Sequence, residues 1–403
     1  MKFANILAVG AVALASVAPT FAANLGTAYV TGSSAFRAST HAAIQALFTP
    51  GSLQYGYSGT DVTAATYGIF KGTLASTADT VTIVTSFNGS AAGVQAIVQT
   101  TTGGLPGNPA NVPLIGFINP SASVTAAGTQ NLTNTVTHAA DIALSDVRVE
   151  LTPFQRATDL FPLEASDSPV GVIQFYWVKN NGANAAINNV THQMVKAAGS
   201  GSLRLSFFTG VDTDTSLVRI VGRNPDSGTR LTAYEESGFG ALSSAVQYLP
   251  SGATTTTAGS GDITSFSLWP AESVLGIPFA QGESGYSSGG TLRDVVKRTS
   301  SAGAIITYLG KSDALNAVSG GATILNYNGV TPETSGTYTS FISGKYPFWS
   351  YEHLYYNDNN PDASMVGELL ATEIKNGQAT LSGIDIAAMK VKRSAEGKVI
   401  IHK

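Results

Sequence analysis

The chain has 403 residues, only 12% of them charged, with 22 Lys and Arg against 26 Asp and Glu and a formal net charge of -4. So weakly charged and slightly acidic a chain excludes a nucleic-acid binder that works by neutralising phosphates. With no cysteine it can have no disulfide, thiol chemistry, thiolate metal site or lipid anchor on an N-terminal cysteine.

Met1-Lys2 is a minimal charged start, Ile6 to Val17 an apolar run and Thr20-Phe-Ala22 a small-residue cleavage site, so residues 1–22 are predicted to be a signal peptide. The run is too short and too early to span a bilayer, and no later segment offers about twenty uninterrupted apolar residues. The mature chain, starting at Ala23 or Asn24, is expected to be soluble and periplasmic or secreted.

Ala28-Tyr-Val-Thr31 predicts a strand, Gly32-Ser33-Ser34 a turn, and Ala35 to Phe48 a helix with Phe36, Ala43, Ile44 and Leu47 on one face. Residues 49–80, rich in Gly, Thr and Tyr, read as an insertion. Val81 to Thr85 is the next strand, Ser86 to Ser90 its loop, and Ala91 to Thr100 a helix with Val94, Ile97 and Val98 inward. A second insertion, over 101–138, starts with Thr101-Thr-Gly-Gly-Leu-Pro-Gly-Asn-Pro. Either insertion could form a lid or an extra surface sheet. Asp141-Ile-Ala-Leu-Ser145-Asp146 is an apolar strand closing on a carboxylate, which serves either as a turn or cap residue or as an acceptor for a protonated oxyanion.

Leu217 to Val221 is a strand that stops at Arg223 and, through Asn224-Pro-Asp226, restarts as a helix beginning Ser227-Gly228-Thr229. A helix start presents free backbone N–H groups and partial positive charge, Gly228 lets an anion approach closely, and Arg223 supplies a full charge in a fork suited to tetrahedral oxyanions. A plain helix cap explains this stretch equally well. Three hydroxyl-bearing helix starts after strands are more than capping requires, which favours an anion site.

Further along, Met365 to Lys375 marks a late helix. Lys390 to Lys403 reads as a terminal hairpin or a partner-binding tail. Gly285-Tyr-Ser287-Ser-Gly289 fits a nucleophile elbow, but 43 glycines make such matches by chance, and no clear strand precedes it. Gly310-Lys311-Ser312 lacks the earlier glycine of a P-loop. Asp358-Asn-Asn-Pro-Asp362 lacks the glycine and glutamate of a calcium hand and reads as a solvated turn. His41, His138, His192, His353 and His402 show no metal spacing, so no metal site or cofactor is expected.

In order and composition, Gly32-Ser-Ser34-Ala35-Phe36, Gly89-Ser90-Ala-Ala-Gly93, Ala143-Leu-Ser-Asp146 and Arg223-Asn-Pro-Asp-Ser227-Gly-Thr229 resemble the four ligand segments of the periplasmic phosphate-binding proteins of phosphate ABC importers. The resemblance implies that Ser34 matches the first hydroxyl ligand, usually Thr, and Ala35 a residue that donates its backbone N–H. Ser90, Asp146, Arg223, Ser227, Gly228 and Thr229 match the remaining ligands. The chain departs from the pattern in the 56 positions from Ser90 to Asp146, in Pro225-Asp226 where Asp-Gly is usual, and in Ser34.

The expected fold is therefore α/β, a two-lobed periplasmic binding protein-like fold with a ligand cleft between the lobes. Lobe I would comprise residues 24–168 plus 320–403, and lobe II residues 169–319. The expected function is capture of inorganic phosphate for an ABC permease by a monomer that is not an enzyme. A structural or adhesive protein on the same fold, or a binder of another oxyanion, is the alternative. An enzyme acting on phosphate esters comes third, because no metal cluster or general base stands out.

Overall fold

The computed structural model describes residues 23–102, 114–153, 168–356 and 360–403. The predicted signal peptide 1–22, the side chain of Val98, most of the 101–109 stretch and Asp358-Asn359 lie outside them.

Short β-branched runs build a sheet from β1 (Asn24–Gly32), β2 (Gln54–Tyr57), β3 (Tyr67–Thr73), β4 (Thr80–Ser86), β7 (Ile142–Ser145), β8 (Ser168–Lys179), β9 (Ser202–Arg204), β10 (Leu217–Ile220), β11 (Ala304–Gly310) and β12 (Trp349–Tyr356). A separate hairpin is formed by β5 (Ile115–Ile118) and β6 (Thr135–His138). The order across the main sheet is β9-β10-β11-β8-β12-β7-β1-β4-β3-β2, with Thr323–Ile324 pairing on β8. The pairs β1·β4, β1·β7 and β10·β11 are parallel, and β8 is antiparallel to both its neighbours.

β8 joins the two halves. Its residues 168–174 pair with β12, while residues 175–179 pair with β11. From Val170 onward it is buried without alternation, the pattern of a strand covered on both faces. Along β1 the side chains alternate: Val30 joins Ile83, Ile142 and Leu144 in one core, and Tyr29 joins Val84 and Ala143 in another. Helix α1 (Arg37–Ala46) and helix α6 (Pro361–Lys375) supply Ala43, Ile44, Val366 and Leu370 to the first core. Helix α2 (Ser90–Thr102) supplies Val94 and Ile97 to the second. Each fully buried Val, Leu or Ile contributes roughly 1.5–3 kcal/mol, so the helices are held by their apolar stripes, and their N-termini are left pointing past the strand ends.

The 49–80 insertion forms extra sheet: β3 and β2 extend the edge beyond β4 in antiparallel register. The second insertion packs on that edge, with Thr125 and Thr129 bridging to Tyr55 and Gly56. His41 ties the first insertion to α1, its Nδ1 2.6 Å from Val62 O and its Nε2 2.8 Å from Thr85 Oγ1. One reading is corrected here. The stretch read as a solvated turn at 358–362 contains the start of α6, where the Asn360 side chain accepts from Ala363 N and Pro361 takes the first turn. Asn followed by Pro is a helix-start signal because the cap oxygen satisfies one orphan N–H and proline lacks one.

Candidate functional site

The junction after β10 is held rigidly. A Cβ on Gly222 would lie 2.3 Å from the Tyr308 hydroxyl, so only glycine lets the chain pass, and that hydroxyl accepts from Arg223 N at 3.2 Å. Arg223 is buried, and its guanidinium donates from Nε to Tyr286 O at 3.1 Å and from Nη2 to Ser287 O at 2.9 Å. Arg230 braces the turn from behind, donating to Arg223 O at 2.7 Å and to Glu283 O at 2.8 Å. Helix α3 (Gly228–Glu236) then starts, with Ser227 as its N-cap accepting from Arg230 N at 3.3 Å. The cap reading and the anion-seat reading are both open to Ser227, because capping uses an acceptor lone pair and leaves the hydroxyl hydrogen free to donate.

Three segments from the other half face this junction. β1 ends at Gly32, with φ +116° and a Cβ position 1.9 Å from Leu144 O, a conformation and a space that exclude any side chain. Ser34 and Ala35 follow, and α1 begins without a side-chain cap at Phe36, although Phe36 N donates to Ser33 O at 3.4 Å and Ser39 N to Ser382 Oγ at 3.1 Å. Gly89, at φ +125°, turns β4 into α2 at Ser90. Asp146 follows β7 directly and is almost fully buried.

The carboxylate of Asp146 lies against the start of α3. Ser90 Oγ donates to its Oδ1 in a short hydrogen bond, and Thr229 Oγ1 donates to Oδ2 at 3.5 Å. A Cβ on Gly228 would meet Asp146 Oδ1 at 1.6 Å. Burial raises the Asp146 pKa, opposed by the Ser90 hydrogen bond and the charge of Arg223. The halves also touch through Ala91 N to Asp226 O at 3.1 Å and Thr232 Oγ1 to Asp146 O at 3.4 Å. Burial pushes the Asp226 carboxyl up to about 6, although Arg223 pulls it down.

Ser34, Ala35, Ser90, Asp146, Arg223, Ser227, Gly228 and Thr229 all line one cavity of about 400 Å³ between the halves. Its wall also includes residues that sequence reasoning passed over. Helix α4 (Gly289–Val296), capped by Ser288, starts beside Arg223, with the Gly289 Cβ position 3.2 Å from Nη1. Gly310 is the N-cap of helix α5 (Lys311–Ser319) and lines the same space. The discounted elbow and P-loop matches are thus two more helix starts. For α4 the signal was the hydroxyl-glycine pair Ser288-Gly289, which repeats Ser227-Gly228; as read from the sequence, no strand precedes it, only a single bridge of Tyr286 to Arg223. The starts of α1, α2, α3, α4 and α5 therefore converge, each the equivalent of roughly half a positive charge, with Arg223 among them. Arg37 and an Arg293–Asp313 pair at 3.3 Å also line the cavity, with Asp313 beside Gly289.

Beneath Asp146 lies a buried polar floor. Glu352 faces Ser33 and Asp146, and burial followed by the Asp146 charge raises its carboxyl well above the ordinary range. Glu396 comes from the C-terminal segment and accepts from Ser350 Oγ at 3.1 Å and Arg148 N at 3.3 Å. Burial pushes its pKa up, but His353 and Arg393 outweigh this and hold it at about 2. Arg393 pairs with Glu236 of α3 at 2.8 Å and stacks over Trp349. Of the two readings of residues 390–403, the hairpin forms, between Val391–Lys392 and Ile401–His402, and its loop turns inward.

Such a cavity can hold a compact anion by N–H and hydroxyl donors around one guanidinium, with a carboxyl able to accept or share a proton. No histidine, lysine or cysteine lines it among the described residues.

No family model matches the chain, and no curated protein matches it. Among solved structures it is similar to a Clostridium perfringens protein with bound phosphate, assigned as a phosphate ABC transporter substrate-binding protein. The identity there is 13%, covering 88% of this chain and 96% of that one, with a TM-score of 0.47. It is also similar to PstS from Borrelia burgdorferi, at 11% identity, 88% and 97% coverage and a TM-score of 0.39. A phosphate-binding protein from Stenotrophomonas maltophilia matches at 13% identity, 86% and 83% coverage and a TM-score of 0.36.

Proposed function

We propose that this protein captures inorganic phosphate in the cavity between residues 24–168 plus 320–403 on one side and 169–319 on the other. It acts as an exported, monomeric binding protein that delivers its ligand to an ABC permease, without metal or cofactor and without catalysing a reaction. The observation that supports this is the meeting, in one cavity, of five helix starts from both halves around Arg223 and Asp146. Oriented N–H groups stabilise a multiply charged oxyanion without mobile countercharges, and they act at hydrogen-bond range, so the negative net charge of the surface does not oppose them. Asp146 adds selectivity. Phosphate keeps a proton at neutral pH to share with a carboxylate, whereas sulfate presents only acceptors to it.

Calorimetric titration of the mature protein with phosphate, arsenate and sulfate is the test. Phosphate and arsenate are expected to bind with similar affinity and sulfate far more weakly. A protein that binds sulfate as well as phosphate, or binds none of the three, is not a phosphate-binding protein of this kind.

A further inference from the structure

A two-stranded arm crosses from one half of the molecule to the other. Glu272–Val274 and Ile277–Phe279 pair as a hairpin whose two-residue turn is Leu275-Gly276. Its side chains alternate, with Glu272, Val274, Ile277 and Phe279 half-buried and Ser273 and Pro278 exposed. The base of the arm belongs to the half that carries Arg223. Trp269 Nε1 donates to Glu272 Oε1 at 3.0 Å, and the buried Trp269 ring packs edge-on against Tyr286, whose carbonyl accepts from Arg223 Nε.

The tip rests on the other half. Gln95 of α2, polar yet buried, donates from Nε2 to Leu275 O at 3.2 Å. Leu275 and Ile277 pack against the apolar cluster to which α2 gives Ala91, Val94 and Ile97 and α3 gives Leu231. The arm therefore ties the wall behind Arg223 to the helix that brings Ser90 to Asp146. Beneath it a cavity of about 290 Å³ is lined by Asn224, Asp226, Leu275 and Ser287, so the arm bridges the Arg223–Ser227 turn instead of filling the space over it.

The residue at the tip suits contact better than it suits the turn. Both turn residues are left-handed, Leu275 at φ +54° and Gly276 at φ +81°, which is the type I′ turn that favours asparagine or glycine at its first position. A leucine there is strained, and the strain is offset by the apolar surface that its side chain covers.

We propose that this hairpin is a clasp between the two halves, with Leu275 and Gln95 as its catch, and that it sets the lifetime of the bound anion. This rests on the phosphate reading above. An anion held by donors of both halves leaves when the halves part, and they part when Leu275 comes off the cluster and Gln95 gives up its carbonyl.

Release is timed by rapid filtration, chasing radiolabelled phosphate from the loaded protein with excess unlabelled phosphate. Leu275→Asn creates the Asn-Gly pair that the turn favours, so the hairpin still forms, but its apolar tip is lost. Release is expected to be roughly tenfold faster, the share of a half-buried leucine. Gln95→Ala, on the opposite side of the catch, should speed release by roughly threefold, the equivalent of one modest hydrogen bond. Ser273→Ala, on the exposed face of the same hairpin, should release phosphate at the wild-type rate. A wild-type release rate in Leu275→Asn overturns the clasp and leaves phosphate capture standing, and so does a Ser273→Ala variant that releases as fast as Leu275→Asn. If the wild-type protein binds no phosphate, both fall.

Discussion

Gly228→Ala tests at once how the start of α3 is held and whether an anion approaches it. Gly228 is not at positive φ, so alanine fits the backbone and, by propensity alone, would stabilise the start of α3 by up to about 1 kcal/mol. Its methyl group, however, would stand 1.6 Å from Asp146 Oδ1 and 3.0 Å from Ser90 Cβ. The carboxylate must retreat by well over an ångström, which breaks the Ser90 hydrogen bond and the longer one from Thr229. One sound and one marginal hydrogen bond to a charged group amount to roughly 2–4 kcal/mol, so after the propensity gain the net loss of stability is about 1–3 kcal/mol. Binding suffers more, because the methyl group occupies the approach to the first open N–H groups of α3. An affinity loss of at least about 100-fold, near 2.7 kcal/mol, is expected. Thermal unfolding followed by circular dichroism, together with calorimetric titration of phosphate, measures both. A variant that binds phosphate as tightly as wild type refutes the reasoning, since it would mean the anion does not approach α3 at Gly228.

Arg223→Ala should weaken phosphate binding by roughly 2–5 kcal/mol, because a buried anion loses its paired charge; an unchanged titration would remove Arg223 from the seat. Asp146→Asn keeps the shape and can turn an amide donor to sulfate, so the phosphate-to-sulfate affinity ratio should fall, and a ratio equal to wild type would make Asp146 purely structural. Burial holds the His41 imidazole at about 4, so its contribution to stability is present above its ordinary value of 6.5 and is lost as pH falls towards 4. Denaturant titrations at pH 7 and pH 5 should show His41→Gln losing about 2 kcal/mol less than wild type over that interval, and equal losses would count against it. Asp226 has the opposite sign: its raised pKa gives stability that is lost as pH rises through about 6. Asp226→Asn should therefore be more stable than wild type at pH 7.5, by up to about 3 kcal/mol, with the gain vanishing near pH 4.

What the sequence by itself determined is local. Strand, glycine turn and hydroxyl-bearing helix start are encoded within about ten residues by β-branching, by the conformational freedom of glycine and by cap chemistry, so the junctions at Ser34, Ser90 and Ser227 could be read one at a time. The packed faces were legible for the same reason, and Phe36, Ala43, Ile44, Val94 and Ile97 are buried. Only the tertiary structure decided which junctions face one another. Asp146 meets Ser90 from 56 residues away and Thr229 from 83, and such distances carry no periodic signal. The starts of α4 and α5 looked like chance motif matches until β11 and the crossing of β8 brought them to the cavity. Glu396 and Arg393, in a charged tail with every mark of a solvated surface segment, are drawn inward because Glu236, His353 and Trp349 leave buried partners for them. A charge goes inside only where partners from elsewhere in the chain offset its desolvation, and those partners are set by the fold.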